Sequence, residues 1–288
     1  MAKTLDKHLE LTQIALSDTF TGEGLPTMWG RLFGGQVLSQ SLLAASKTVD
    51  EKYVPNSLHA YFLRAGDSRT IILFNVERLF SGRSFQTRRV TALQENKAIF
   101  TATIQFMAER KGAEYQLAVR DVIKQAQVQY GITNYNFPLD VNKYITENRA
   151  KGKVSTDSVT GNVERITVSY GTNYLFQLTR HREKLPPVQA IHFAVFAFLS
   201  DNNMISVMRL PHERAGNQNL VSGFSASLDH SIHFHRKFNV DEWMYVLYET
   251  NVSRGARGLA RATYYDTQGN ILATCIQEGL MSPQKGAL

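Results

Sequence analysis

A single cysteine, Cys275, in 288 residues excludes an intramolecular disulfide and any multi-cysteine metal site. A reducing compartment is compatible with that usage, and Cys275, set among Ile271, Leu272, Ala273 and Ile276, reads as a buried structural thiol. No stretch approaches the ~18–20 apolar residues of a membrane span, and the N-terminal Met1 to His8 has no signal-peptide core. The last residues, Lys285 to Leu288, do not match the Ser-Lys-Leu peroxisomal address, so a cytoplasmic location without stable membrane insertion is expected. Hydrolase and nucleotide signatures are missing too. The nearest approach to Gly-x-Ser-x-Gly is Gly223-Phe224-Ser225-Ala226-Ser227, which lacks the closing glycine, and there is no Gly-x-Gly-x-x-Gly or Walker loop. The net charge of +7 favours an anionic partner, yet the basic residues are scattered in pairs such as Arg88-Arg89, which argues against nucleic acid.

What is present is a near repetition. Residues 57–105, shifted by 172 positions without a gap, lie over residues 229–277 and coincide at nine places, among them Phe62/Phe234, Glu77/Glu249, Arg89/Arg261 and Gln105/Gln277. The unit is too long for a solenoid repeat of roughly 20–50 residues. Two similar β-rich domains with a site near their junction are expected. The boundaries read as 1–112 for the first, 113–162 for a connecting segment and 163–288 for the second.

Each half follows one order. Gly34-Gly35 opens an apolar helix to Lys47, followed by strands at 57–63, 71–79, 84–93 and 98–107, the last two joined at Gln94-Glu95-Asn96-Lys97. The second half has strands at 163–170 and 173–178, a helix from Val188 to about Ser200 behind Pro186-Pro187, then strands at 223–234, 242–251, 257–266 and 271–280. This is an α+β layout in which a long apolar helix is wrapped, twice, by a curved antiparallel sheet.

Polar groups stand where that pattern demands burial. Asp201 follows the most apolar helix, Ser227 lies in the 223–234 strand, and Gln277 lies in the last strand beside the small Ala273 and Cys275. Buried groups of this kind need partners, since an unpaired one costs on the order of 1–3 kcal/mol. Helix termination by Asp201 and backbone satisfaction by Gln277 are the alternatives. His233 and His235 share one strand face and His230 takes the other, which leaves too few ligands for zinc; no metal and no cofactor are expected.

The same residues carry a resemblance to the acyl-CoA thioesterase II family of double-hotdog enzymes. It rests on Arg31 to Val37, His59 to Asp67, Ser84-Phe85, Arg88-Arg89-Val90, Ser200-Asp201, Pro211-His212, Ser227 to Ser231, Phe234-His235, Ser253 to Arg257 and Gln277-Glu278-Gly279. The resemblance implies a tandem hotdog fold and a catalytic set of Asp201, Ser227 and Gln277. It also implies substrate contacts at Gly34, Gly35, His59 and Arg64, and assembly as a homodimer or homotetramer. The first half keeps Gln105 at the position of Gln277 but has Ser57 where the second has Asp229. Departures from the family are Ile232-His233 in place of Met-Trp, Ser39 in place of glycine and Ala65 in place of proline. The His233 exchange bears on the acyl pocket or an interface.

The expected reaction is hydrolysis of acyl-CoA to fatty acid and CoA, with Asp201 as general base on a water held by Ser227 and Gln277. Gly34-Gly35 is the candidate oxyanion donor, by analogy with hotdog enzymes. Two rivals stand beside it. A hotdog hydratase needs a histidine and a carboxylate near the first helix terminus, where this chain has Gln36 and Ser39. A non-catalytic acyl-CoA binding protein would be indifferent to loss of Asp201.

Overall fold

A computed structural model describes residues 9–28, 30–117, 140–157 and 159–284. The octapeptide and the final tetrapeptide read for targeting signals lie outside these residues, as do residues 118–139 of the connecting segment. In chain order the elements are β1 (Leu11–Gln13), β2 (Thr19–Gly22), α1 (Gly34–Ser46), β3 (Tyr53–Phe62), β4 (Ile72–Ser81), β5 (Phe85–Gln94), β6 (Lys97–Ala108), α2 (Val141–Ala150), β7 (Ser155–Thr156), β8 (Val163–Tyr170), β9 (Tyr174–His181), α3 (Gln189–Ser200), α4 (Met204–Arg214), β10 (Ser225–Ser227), β11 (Asp229–Phe234), β12 (Met244–Arg254), β13 (Arg257–Tyr265) and β14 (Ile271–Met281).

The expected tandem hotdog is what the chain adopts, with one difference of architecture: the two halves share a single continuous sheet. Its strand order is β1-β2-β4-β5-β6-β3-β11-β14-β13-β12-β9-β8-β7, and β10 pairs with β14. The halves meet where β3 runs antiparallel to β11, with His59 opposite Ser231. Those two residues are also related by the shift of 172, so they mark a pseudo-twofold axis through the middle of the sheet. The two long helices pack against each other on its concave side, where Ser39 Oγ donates to the Ala194 carbonyl at 2.6 Å. They also meet through Phe33 and Phe198, whose ring centroids are 4.9 Å apart. Both helices are almost wholly buried, which explains why each is apolar on most of its circumference.

The ungapped repetition misleads at its end. In the first half β5 and β6 are joined by the two-residue turn Glu95-Asn96, both at positive φ (49° and 60°), the geometry a tight hairpin needs. In the second half β13 and β14 are joined by residues 266–270, a loop tied by Asp266 Oδ1 accepting from the backbone N–H groups of Gln268 and Asn270. The longer connection moves β14 along by one residue. Glu77 faces Arg89 as Glu249 faces Arg261, so Arg88 and Ala260 are equivalent; Arg88 stands opposite Ile104, whereas Ala260 stands opposite Gln277. The structural counterpart of Gln277 is therefore Ile104 and not Gln105, which points to the other face. A one-residue slip exchanges the faces of a strand.

Beyond the expected elements, β1 and β2 extend the sheet beside β4, and α4 lies across β13 and β14. Within the connecting segment α2, capped by Asp140 accepting from Lys143 N–H, buries Ile145 against Ile166, Phe176, Tyr245 and Tyr265 on the outer face of the second-half sheet. Taken as one stretch, Gln189–Arg214 is long and apolar enough to cross a membrane on length and composition, but 67% of its most apolar window is buried inside the protein.

Candidate active site

Asp201 ends α3 with its carboxylate turned across the junction of the halves. Its Oδ2 accepts from Gly35 N–H at 2.9 Å, at the first turn of α1. An anion there meets the positive end of the helix dipole. The two glycines make room for it: a Cβ on Gly34 would fall 2.7 Å from Asp201 Oδ2, and one on Gly35 would fall 2.3 Å from the Phe198 carbonyl oxygen. Ser227, the last residue of β10, lies with its Oγ 3.4 Å from Asp201 Oδ1. Gln277, fully buried on β14, donates from Nε2 to Ser227 Oγ at 2.8 Å.

The spacing of these groups is a consequence of strand irregularity. β10 and β11 are separate strands on β14, broken at Leu228, whereas the sequence pattern suggested one continuous strand through residues 223–234. The break lets Ser227 face Asp201 while His230, three residues on, still points inward. Asp201 is held by opposing influences. Burial pushes its carboxyl up, while hydrogen bonds from Gly35, Ser227 and Gln277 pull it down, leaving it at about 6. It is ionised at neutral pH yet basic enough to take a proton.

The structure thus brings together Asp201, Ser227, Gln277, Gly34 and Gly35. It does not bring His59 or Arg64 to them. His59 is on the convex face of β3, its ring 5.2 Å from His233, and Arg64 is exposed with Nη1 on the Ala98 carbonyl. His233 is likewise on the convex face, so its departure from the family falls at the pseudo-twofold axis and not in a pocket beneath the helices. The expected oxyanion role of Gly35 also needs correction, because its N–H is engaged by Asp201. Gly34 and Gly35 serve here to let a carboxylate and a second helix approach. A cleft of about 550 Å³ lies elsewhere, among Arg180, Lys184, Gln189, Trp243 and Asp266, and none of the trio lines it.

Sequence reasoning missed one member of the site. His230, also fully buried, contacts Gln277 Oε1 through Nδ1 at 2.6 Å and Ser200 Oγ through Nε2 at 2.9 Å. Its placement on the inward face was legible; its contact with Gln277 depended on the strand register. It is separated from Asp201 by Gln277 and Ser227, so the site has no histidine–carboxylate pair of the kind a hotdog hydratase uses. Among the described residues no three histidine, cysteine, aspartate or glutamate side chains group as a metal site.

Fold and site together define a double hotdog with a carboxylate, a hydroxyl and a carboxamide gathered where its halves meet. Comparison with known proteins gives the family. The model described as acyl-CoA thioesterase matches residues 150–280, and that of the acyl-CoA thioesterase N-terminal domain matches residues 25–107. The chain is 32% identical to human acyl-coenzyme A thioesterase 8, over 92% of this chain and 84% of that protein. It is 30% identical to acyl-CoA thioesterase 2 of Haemophilus influenzae, over 98% and 99%. Among solved structures, the acyl-CoA thioesterase II TesB2 of Mycobacterium marinum superposes with a TM-score of 0.76 at 26% identity, covering 98% of each chain. The chain belongs to the acyl-CoA thioesterase family and is a thioester hydrolase acting on acyl-CoA.

Proposed function

We propose that Asp201, Ser227 and Gln277 carry out this hydrolysis by direct attack of water. The observation that carries the reading is the partly buried Asp201 carboxylate, fixed on a helix N-terminus and facing a hydroxyl that is itself held by a carboxamide. Asp201 takes a proton from water as the oxygen attacks the thioester carbonyl carbon. Ser227 and Gln277 orient that water. The tetrahedral adduct then collapses with cleavage of the C–S bond, and the proton on Asp201 passes to the departing sulfur, giving fatty acid and CoA and restoring the carboxylate. An acyl-enzyme on Ser227 is disfavoured, since His230 is behind Gln277 and, among the described residues, Asp201 is the base that reaches the hydroxyl.

The catalytic groups belong to the second unit, residues 163–288, and lean on the first, residues 1–112, through Gly35. The packing of α2 on the second-half sheet supports grouping that part of the 113–162 segment with the second unit. Exposed Leu79, Phe80, Val252, Leu259 and Ile276 support a homodimer or homotetramer. We take the assembly to act in the cytoplasm without membrane insertion or nucleic acid.

Release of free CoA thiol from acyl-CoAs of short, medium and long chain, by the intact protein and by Asp201→Asn, tests the mechanism. A loss of about 10²–10⁴-fold in kcat in the folded variant is expected. Equal turnover by both would overturn the assignment of the base. Binding of acyl-CoA with no thiol release by either would leave a non-catalytic binding protein.

A further inference from the structure

The carboxamide of Gln277 is asymmetric, and its two ends meet different neighbours. One end lies at Ser227 beside Asp201, and the other lies at His230. An ionised carboxylate calls for donors, so the NH2 group belongs on the Ser227 side. With Gln277 donating to Ser227 Oγ, the single hydroxyl proton of Ser227 is free to point at Asp201. The opposite arrangement puts the carboxamide oxygen on Ser227, draws that proton away from Asp201, and turns the water-orienting set around.

Which arrangement holds is decided behind Gln277. Its Oε1 can only accept, and the group in reach is His230 Nδ1 at 2.6 Å. A neutral imidazole carries one N–H, so a proton on Nδ1 leaves Nε2 as an acceptor. Ser200 Oγ, at 2.9 Å from Nε2, supplies the O–H. The same Ser200 hydroxyl lies 2.9 Å from the Ala197 carbonyl, its alternative acceptor and the one that goes with the reversed arrangement. The negative charge on Asp201 selects the first. Every donor then runs one way: Ser200 to His230, His230 to Gln277, Gln277 to Ser227, Ser227 to Asp201.

We propose that His230 is a positioning residue that acts through Gln277, holding its carboxamide with the NH2 group toward Ser227 and Asp201; this rests on the catalytic reading of that trio. The fold itself does not require a histidine there. The equivalent of His230 under the shift of 172 is Leu58, and the equivalent of Gln277 is Ile104, both fully buried in the same kind of environment. The polar pair occurs only in the half that carries Asp201.

Steady-state kcat and KM for thiol release by the full-length protein would be compared for the wild type, Asp201→Asn, His230→Leu, His230→Asn, Gln277→Ala and the His230→Leu/Gln277→Ala double variant. His230→Leu is expected to lose about 10- to 100-fold in kcat with KM within about twofold, because the group misplaced acts on the reacting water and not on substrate binding. His230→Asn, whose side-chain N–H2 stands where Nδ1–H was, is expected to recover most of that loss. In the Gln277→Ala background His230→Leu should cost nothing further. A folded His230→Leu with wild-type kcat, or a loss that multiplies in full with that of Gln277→Ala, overturns the proposal. Should His230→Leu fail to fold, the ¹⁵N shifts of the wild-type ring, assigned by their disappearance in His230→Asn, decide it: an Nδ1–H tautomer supports the proposal and an Nε2–H tautomer overturns it. An active Asp201→Asn would sink the trio itself, whereas an inactive Asp201→Asn beside an intact His230→Leu sinks only the role of His230.

Discussion

The two halves set opposite charges at the two ends of the same helix. At the N-terminus of α1 the second half supplies Asp201, on the Gly35 N–H. At its C-terminus the first half supplies Arg88, which is 1% exposed and donates from Nε to Thr48 Oγ1 and from Nη2 to the Thr48 carbonyl. The helix has no acidic residue in its first turn and no basic one in its last, so both complements to its dipole come from elsewhere in the chain. Where the second half has Ala260 beside Gln277, the first has Arg88 beside Ile104; where the second has Ser227, the first has Pro55. The small residue leaves room for the trio. The arginine fills that room and joins strand to helix. One fold, duplicated, holds the proposed reaction centre on one side and a structural clamp at its image.

That contrast can be tested by giving the second half the residues of the first. Gln277→Ile should lower kcat by about 10²–10³-fold, the effect of removing one preorganised donor from a reaction centre, while the protein stays folded because isoleucine occupies the equivalent strand position already. Thiol release together with a thermal melt checks both parts; a kcat within threefold of wild type would mean that the carboxamide does not act on the water. Arg88→Met should destabilise by roughly 3 kcal/mol, since it deprives the Phe80, Thr87 and Thr48 carbonyls and Gln86 Oε1 of a donor in a buried place. Urea unfolding measures it. A change under 0.5 kcal/mol would show that Arg88 fills space and little more.

Much of this contrast could be read from the sequence, and the failures share a cause. The two apolar helices, the antiparallel strands that follow them, the burial of Gln277 and the partial burial of Asp201 and Ser227 all follow from periodicity, because each is a matter of which face a residue takes. Register is not. The extra residue in the 266–270 loop is invisible where Gln105 and Gln277 happen to coincide, and it is this residue that sets Gln277 and Ile104, not Gln105, on equivalent ladders. The contact between His230 and Gln277, and the break at Leu228 that frees Ser227, depend on the same cross-strand geometry. Short edge elements such as β1 and β2 bury too little apolar surface to leave a pattern. His59 and Arg64 are near the site in sequence motif only; alternation along β3 sends His59 to the convex face.

The difference between the halves should also appear in stability against pH, though with a smaller magnitude. Asp201 titrates at about 6 in the folded protein against 3.8 ordinarily, so the folded state binds this proton more readily than the unfolded chain does. Stability from this group is present below pH 4 and is lost as pH rises through 6. His230 is pushed by burial from 6.5 down to about 4, so the unfolded chain takes that proton first, and stability from it is present above pH 6.5 and lost as pH falls through 4. In the wild type the two opposed slopes offset over nearly the same window. Asp201→Asn removes one of them. At pH 7 it should be more stable than wild type by on the order of 3 kcal/mol, because it no longer holds a charge at a place that raises the carboxyl from 3.8 to about 6. Between pH 6.5 and pH 4 that advantage should shrink to nothing, leaving the uncompensated slope of His230. His230→Leu should show the reverse, gaining stability relative to wild type as the solution is acidified. Leu58 and Ile104 hold no proton, so conservative changes there should leave the pH dependence parallel to wild type. Parallel curves for Asp201→Asn as well would mean that Asp201 titrates as an ordinary carboxylate, and the strained charge that suits it to accept a proton from water would be absent.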